Sequence, residues 1–140
     1  MTTIVADARV GIMVADSYIN DSVAKWEEEK IYRLDDRLVG LAGTVRQCDL
    51  AFSWLRRGAK GRGPKGDWTA IVLGPEGVSS WSYLNGSMFH SKGFFAVGSG
   101  YLPALALLEA GHTAEEAIHY TCLVDAQSGG KLQIQYLKEN

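Results

Sequence analysis

The apolar pattern of this chain points to an α+β fold and suggests an α-β-β-α sandwich. Three observations carry that expectation. Alternating or β-branched runs fall into two blocks, helical stripes fall into two groups around them, and Gly, Asn and Asp punctuate the joints. The order is strands, helix, strands, two helices, strand.

Residues 2–7 and 11–16 are rich in small and β-branched side chains and read as a hairpin about Ala8-Arg9-Val10. Pairing centred on Arg9 sets Thr2 opposite Asp16, and a slip of one residue would turn Asp16 to the other face. Ser17 to Trp26 is polar and turn-rich. Lys30 to Leu34 and Leu38 to Gly43 form a second hairpin around Asp35-Asp36-Arg37. In an extended segment Lys30, Tyr32 and Leu34 share a face, which sets the Lys30 ammonium in semi-apolar company. Burial of that kind lowers a lysine pKa.

Thr44 caps a helix to about Arg57, with Val45, Cys48, Ala51, Phe52 and Leu55 as its stripe. Gly58 to Gly66 is a loop rich in Gly, Lys and Arg. Strands follow at Trp68–Leu73, Val78–Leu84 and Phe94–Val97, with turns at Gly74-Pro75-Glu76-Gly77 and Asn85-Gly86. The helix from Leu102 to Ala110 carries Pro103 in its first turn and ends at Gly111. Thr113 and Glu116 form a capping box for a second helix with Ala114, Ala117, Ile118 and Thr121 inward, stopped by Gly129-Gly130. Lys131 to Leu137 alternates as a final strand.

A chain of 140 residues fits one domain, 1–140, and should bury roughly two thirds of its unfolded surface. Its 46% apolar and 21% charged residues are those of a soluble globular protein. A net charge of −2 exerts no global pull on nucleic acid. The basic run Arg56, Arg57, Lys60, Arg62 and Lys65 lacks interleaved aromatics and reads as a solvated loop or subunit contact. Trp54, Trp68 and Trp81 lie in helix or strand patterns and read as packing residues. No apolar run reaches membrane-helix length and no signal peptide opens the chain, so a soluble cytoplasmic protein without membrane contact is expected. Cys48 and Cys122 read as reduced, semi-buried thiols, and with His90, His112 and His119 unclustered no metal or cofactor is expected.

Thr2 directly follows Met1. Removal of Met1 would leave a hydroxyl nucleophile and a free α-amine on one residue, and that amine can serve as the hydroxyl's own base. Further along come Val14-Ala15-Asp16, Lys30-Ile31, Gly40-Leu41-Ala42-Gly43, Gly98-Ser99-Gly100 and Asp125-Ala126-Gln127-Ser128-Gly129-Gly130. Each motif alone is weak. Taken in this order along nearly the whole chain, they resemble the threonine peptidases of the proteasome β-subunit family, including the bacterial HslV-type peptidase, within the N-terminal-nucleophile (Ntn) hydrolases.

The resemblance implies a four-layer α-β-β-α sandwich of two antiparallel sheets, missing the outer helix that family members usually have between Arg57 and Trp68; the strand pattern is compatible with that fold but does not single it out. It also implies roles. Thr2 would attack the scissile carbonyl, and Lys30 would lower the proton affinity of the nucleophile and its amine. Asp16 would hold Lys30 charged and in place. Gly40 falls where the family has its oxyanion-hole glycine, with Gly43 the second glycine of the segment. Ser99 resembles the serine that hydrogen-bonds around the nucleophile's amine, and Asp125 with Ser128 would support the proton network from one side of a helix end. Glu28, Tyr32, Leu38 and Ala42 would lie near the primary side-chain pocket. The implied substrate is a peptide or unfolded protein, and the implied assembly a homo-oligomeric ring that an ATP-dependent unfoldase could feed. Two other readings stay open: an inactive proteasome-like scaffold or binding subunit, and an Ntn amidase acting on a small molecule outside any ring.

Overall fold

The computed structural model of the chain describes residues 2–20 and 25–138. Met1, whose removal the threonine chemistry requires, lies outside them. The first hairpin is β1 (Thr3–Asp7) and β2 (Ile12–Ala15), followed by a small ribbon of β3 (Tyr18–Asn20) and β4 (Lys25–Glu27). The second hairpin is β5 (Ile31–Leu34) and β6 (Arg37–Gly43), leading into α1 (Val45–Arg56). Then come β7 (Trp68–Gly74), β8 (Gly77–Ser82), β9 (Gly86–His90) and β10 (Phe94–Gly98). Helices α2 (Tyr101–Glu109) and α3 (Ala114–Val124) and strand β11 (Gln133–Tyr136) complete the chain.

The strands assemble as β10-β1-β2-β11 in one sheet and β5-β6-β7-β8-β9 in the other, every pairing antiparallel. Period-two alternation sorts their side chains into three apolar layers. Ile4, Ala6 and Met13 meet Leu38, Ile71 and Leu73 between the sheets. Val5, Val14 and Ala96 face Ala104, Leu108 and Ile118 of α2 and α3. Val39, Ala70 and Val72 face Ala51 and Phe52 of α1. The result is the expected four-layer sandwich of two antiparallel sheets.

Local sequence signals set the helices. The Thr44 hydroxyl accepts the Gln47 N–H, and Thr113 and Glu116 close the capping box that opens α3. Ala114, Ala117, Ile118 and Thr121 are the buried face of α3, as their spacing predicts. Residues 57–67 form no helix. This loop is tied down by indoles instead: Trp54 Nε1 donates to the Lys60 carbonyl at 3.1 Å and Trp68 Nε1 to the Pro64 carbonyl at 2.6 Å. Trp54 also packs on Trp68 and Trp81, confirming all three as packing residues.

Three expectations need correction. Strand β9 adds to the three strands expected after α1; Ser87-Met88-Phe89-His90 is a mostly exposed edge with little alternation to mark it. Helix α3 ends at Val124 with Asp125 already extended, rather than at Gly129-Gly130. The first hairpin is shifted by one residue: Ile4 pairs with Ala15, so Thr3 rather than Thr2 opposes Asp16. Gly11 causes the shift. Its φ of +76° lets it join the turn, where its N–H reaches the Asp7 carbonyl at 2.8 Å, so the hairpin centre moves half a residue along.

Candidate active site

Alternation along β1 splits the threonine pair. Thr2 shares the parity of Ile4 and Ala6, whereas Thr3 shares that of Val5 and looks toward the helices. Thr2 is buried, and its carbonyl accepts the Ser99 N–H at 2.7 Å. It lines a cavity of about 180 Å³ with Glu28, Lys30, Tyr32, Gly43 and Phe52.

Asp16, just past the end of β2, is wholly buried, and both its oxygens accept hydrogen bonds. Oδ1 accepts the Lys30 ammonium at 2.9 Å and the Thr3 N–H at 2.9 Å, and Oδ2 accepts the Gly129 N–H at 3.0 Å. The Lys30 side chain is 2% exposed and also donates to the Tyr18 carbonyl. Burial lowers the Lys30 pKa below the ordinary lysine value, against the pull of Asp16 in the other direction. The sequence expectation of a lysine perturbed by its apolar setting therefore holds.

A second network runs behind Thr3. Ser128 Oγ donates to Asp125 Oδ2 at 2.6 Å, so the 2.8 Å contact between Thr3 Oγ1 and Ser128 Oγ uses the Thr3 proton. Thr3 Oγ1 in turn accepts the Gly100 N–H at 3.0 Å. Ser99 Oγ donates to the same Asp125 oxygen at 2.6 Å; its other approach, to the Thr2 carbonyl, is 3.4 Å. Burial alone would raise the Asp125 pKa, but these two hydroxyls and the Gln127 N–H hold it below the ordinary carboxylate range. Asp125 and Ser128 meet across the turn after α3, not along a helix end. Sequence reasoning missed Thr3, although a polar side chain at a helix-facing strand position demands partners.

Two further expectations fail, both through strand geometry. Gly40 does not line the Thr2 cavity. It sits mid-strand, paired with Ile31 and Ile71, and a Cβ there would lie 2.8 Å from Ile4 Cγ2 and 3.0 Å from Ile71 Cγ2. Its N–H belongs to the ladder and its lack of a side chain serves close sheet packing. Gly43 borders that cavity instead. The Leu41 N–H donates toward β5, to the Lys30 carbonyl at 3.2 Å, while the Thr44 N–H donates toward β7, to Asp67. Alternation turns the Gly43 N–H to the β5 side, beyond the first residue of that strand and into the wall of the Thr2 cavity.

Leu38 and Ala42 do not line that cavity either. Tyr32 pairs with Val39, so Tyr32 faces α1 and the Thr2 cavity while Leu38 and Ala42 point between the sheets. Leu38 is wholly buried in that inter-sheet core. Ala42 lines a separate cavity of about 400 Å³ with Gly43, Trp81, Phe95 and Ser99. Of the four expected pocket residues, Glu28 and Tyr32 border the Thr2 cavity, joined by Leu41 and Phe52. Thr2, Asp16, Lys30, Ser99, Asp125 and Ser128 do converge.

Comparison with solved structures agrees with this architecture. Eukaryotic HslV from Trypanosoma brucei superposes with a TM-score of 0.78 at 21% identity, covering 95% of this chain and 97% of that one. The chain has the fold of these HslV and proteasome-like structures. Thiobacillus denitrificans BPH in complex with epoxomicin superposes at 0.70 with 16% identity, over 98% of this chain and 100% of that one. The same BPH in a second structure scores 0.71 at 16% identity, with 99% and 100% covered. No protein-family model matches the chain, and no curated protein matches it. The fold likeness spans its full length. Among the described residues, no helix is long and apolar enough to cross a membrane.

Proposed function

We propose that the protein is a threonine peptidase that hydrolyses peptide bonds through an acyl ester on Thr2, once Met1 has been removed. One observation carries this reading: Thr2 and the buried, Asp16-paired Lys30 border one cavity, with Gly43 in its wall. A free α-amine has a pKa of about 7.7–8.0, so it can take a proton near neutrality. The Thr2 hydroxyl passes its proton to that amine as its oxygen bonds the scissile carbonyl carbon. The Lys30 charge favours deprotonation, and the Gly43 N–H meets the oxyanion, a donor worth about 2.7–4 kcal/mol of transition-state stabilisation. Collapse breaks the C–N bond, and the leaving amine takes the proton from the ammonium. The amine then deprotonates water, which attacks the ester and restores Thr2. Asp16 keeps Lys30 in place, while Ser99, Asp125 and Ser128 hold the Thr2-Thr3 backbone and hydroxyl network.

The substrate class is a peptide or unfolded protein, with Glu28 and Tyr32 at the pocket beside Thr2. A homo-oligomeric ring, as the HslV-like fold favours, would sequester such sites in the cytoplasm, and the exposed Leu123 and Val124 of α3 offer apolar contact surface. An ATP-dependent unfoldase is the partner such a ring would require for folded substrates.

The test is direct. Intact mass and N-terminal sequencing should find Thr2 first, epoxomicin should label it, and Thr2→Ala should abolish both labelling and hydrolysis of fluorogenic peptides. Retained hydrolysis in Thr2→Ala would end this reading, and a stable Met1 would favour the scaffold. A boronate adduct should place one oxygen within hydrogen-bond distance of the Gly43 nitrogen; an oxygen bound to another donor would overturn that assignment.

A further inference from the structure

The C-terminal strand reaches the lysine from the far side. Residues 28–30 precede β5, the edge strand of one sheet, while Gln133 opens β11, the edge strand of the other. The Gln133 side-chain amide bridges the two edges. Its Oε1 accepts the Lys30 backbone N–H at 2.8 Å, and its Nε2 donates to the Glu28 carbonyl. One primary amide thus offers residues 28–30 the acceptor and donor that a neighbouring strand would supply. On the opposite flank the Lys30 carbonyl accepts the Leu41 N–H. The Lys30 backbone is clamped from both sides.

We infer that Gln133 is a positioning residue for Lys30, fixing the backbone from which the ammonium is aimed. The register supports this. Gln133 pairs with Ala15, the neighbour of Asp16, so adjacent columns of one sheet hold the two ends of the lysine. Asp16 takes the ammonium and Gln133 takes the peptide group. The consequence for catalysis rests on the threonine-peptidase reading; the consequence for Lys30 does not. Arg33 supplies an internal control. Its guanidinium ties the same two edges through the carbonyls of Tyr136 at 2.6 Å and Leu137 at 3.1 Å, without touching residue 30.

The experiment compares Gln133→Ala, Gln133→Glu and Arg33→Ala with the parent protein after circular dichroism confirms folding. Gln133→Glu keeps the acceptor for Lys30 and loses the donor to Glu28. Side-chain NMR, assigned with Lys30→Met, follows the Lys30 titration, and epoxomicin labelling gives the inactivation rate and half-saturating concentration. In Gln133→Ala the Lys30 titration should move up toward the ordinary lysine value as the segment opens to water. The maximal labelling rate should fall on the order of 10- to 100-fold, the size of effect that misplacing a reactive group by about 1 Å produces. The half-saturating concentration should change little, and Gln133→Glu should fall between. Arg33→Ala should lower the melting temperature and leave both readouts unchanged. A Lys30 titration unmoved in folded Gln133→Ala, or moved as far by Arg33→Ala, would overturn the inference. If the parent is not labelled at all, the peptidase reading falls and the Lys30 titration still decides the role of Gln133.

Discussion

Removing the Asp16 carboxylate tests the buried pair at its most sensitive point. In Asp16→Ala the Lys30 ammonium, 2% exposed, loses its counter-charge, and the Thr3 and Gly129 N–H groups lose their acceptor. Breaking a buried ion pair by deleting one partner costs about 3–5 kcal/mol, because the remaining charge stays desolvated. Unfolding entropy near 2.1 cal/mol/K per residue gives roughly 0.3 kcal/mol/K for 140 residues, so the melting temperature should fall by roughly 10–17 °C. The loss should be strongly coupled to Lys30. With the ammonium replaced by an apolar chain in Asp16→Ala/Lys30→Met, the penalty for a stranded charge disappears, and a coupling of about 1–3 kcal/mol should appear in a double-mutant cycle. Thermal and urea unfolding followed by circular dichroism measure both quantities. A melting point within about 3 °C of the parent, or strictly additive losses, would refute the claim that this pair is desolvated and interdependent.

Three further outcomes follow from the same geometry. The unfolded state binds more protons than the native state between the lowered Lys30 pKa and the ordinary lysine value of about 10.4, so this residue makes stability rise with pH through that window. Lys30→Met should remove that rise, seen as the pH dependence of the difference in urea midpoints between parent and variant; identical pH slopes would count against it. Ser128→Ala leaves the buried Thr3 hydroxyl without its acceptor and should cost about 1–3 kcal/mol in urea unfolding, with slower peptide hydrolysis; a loss under about 0.5 kcal/mol would mean the chain from Thr3 to Asp125 is not closed. Burial pushes Cys48 up to about 12 and Cys122 up to about 11, so both half-buried thiols should react with a disulfide reagent at about pH 8 more slowly in the native protein than after unfolding. Equal rates in the native and unfolded protein would contradict it.

The chain alone determined what short-range physics writes into it: the hairpins, the Thr44 and Thr113 caps, the inward face of α3, and the residue types gathered around Thr2. Each of these rests on spacing within one turn or one strand, or on a motif a few residues long. Register and facing were a different matter. An alternating strand reads the same after a one-residue slip, so only the turn through Gly11 decided that Thr3, not Thr2, stands opposite Asp16. The pairing of Tyr32 with Val39 sent Leu38 into the core and kept Tyr32 beside Thr2. Position at the end of β6, beyond the first residue of β5, made Gly43, and not Gly40, the glycine facing the cavity. Gln133 left no mark in the sequence, because its partners lie 103 and 105 residues away and are backbone groups that carry no residue identity. Local pattern chooses elements; long-range pairing chooses which of their faces meet.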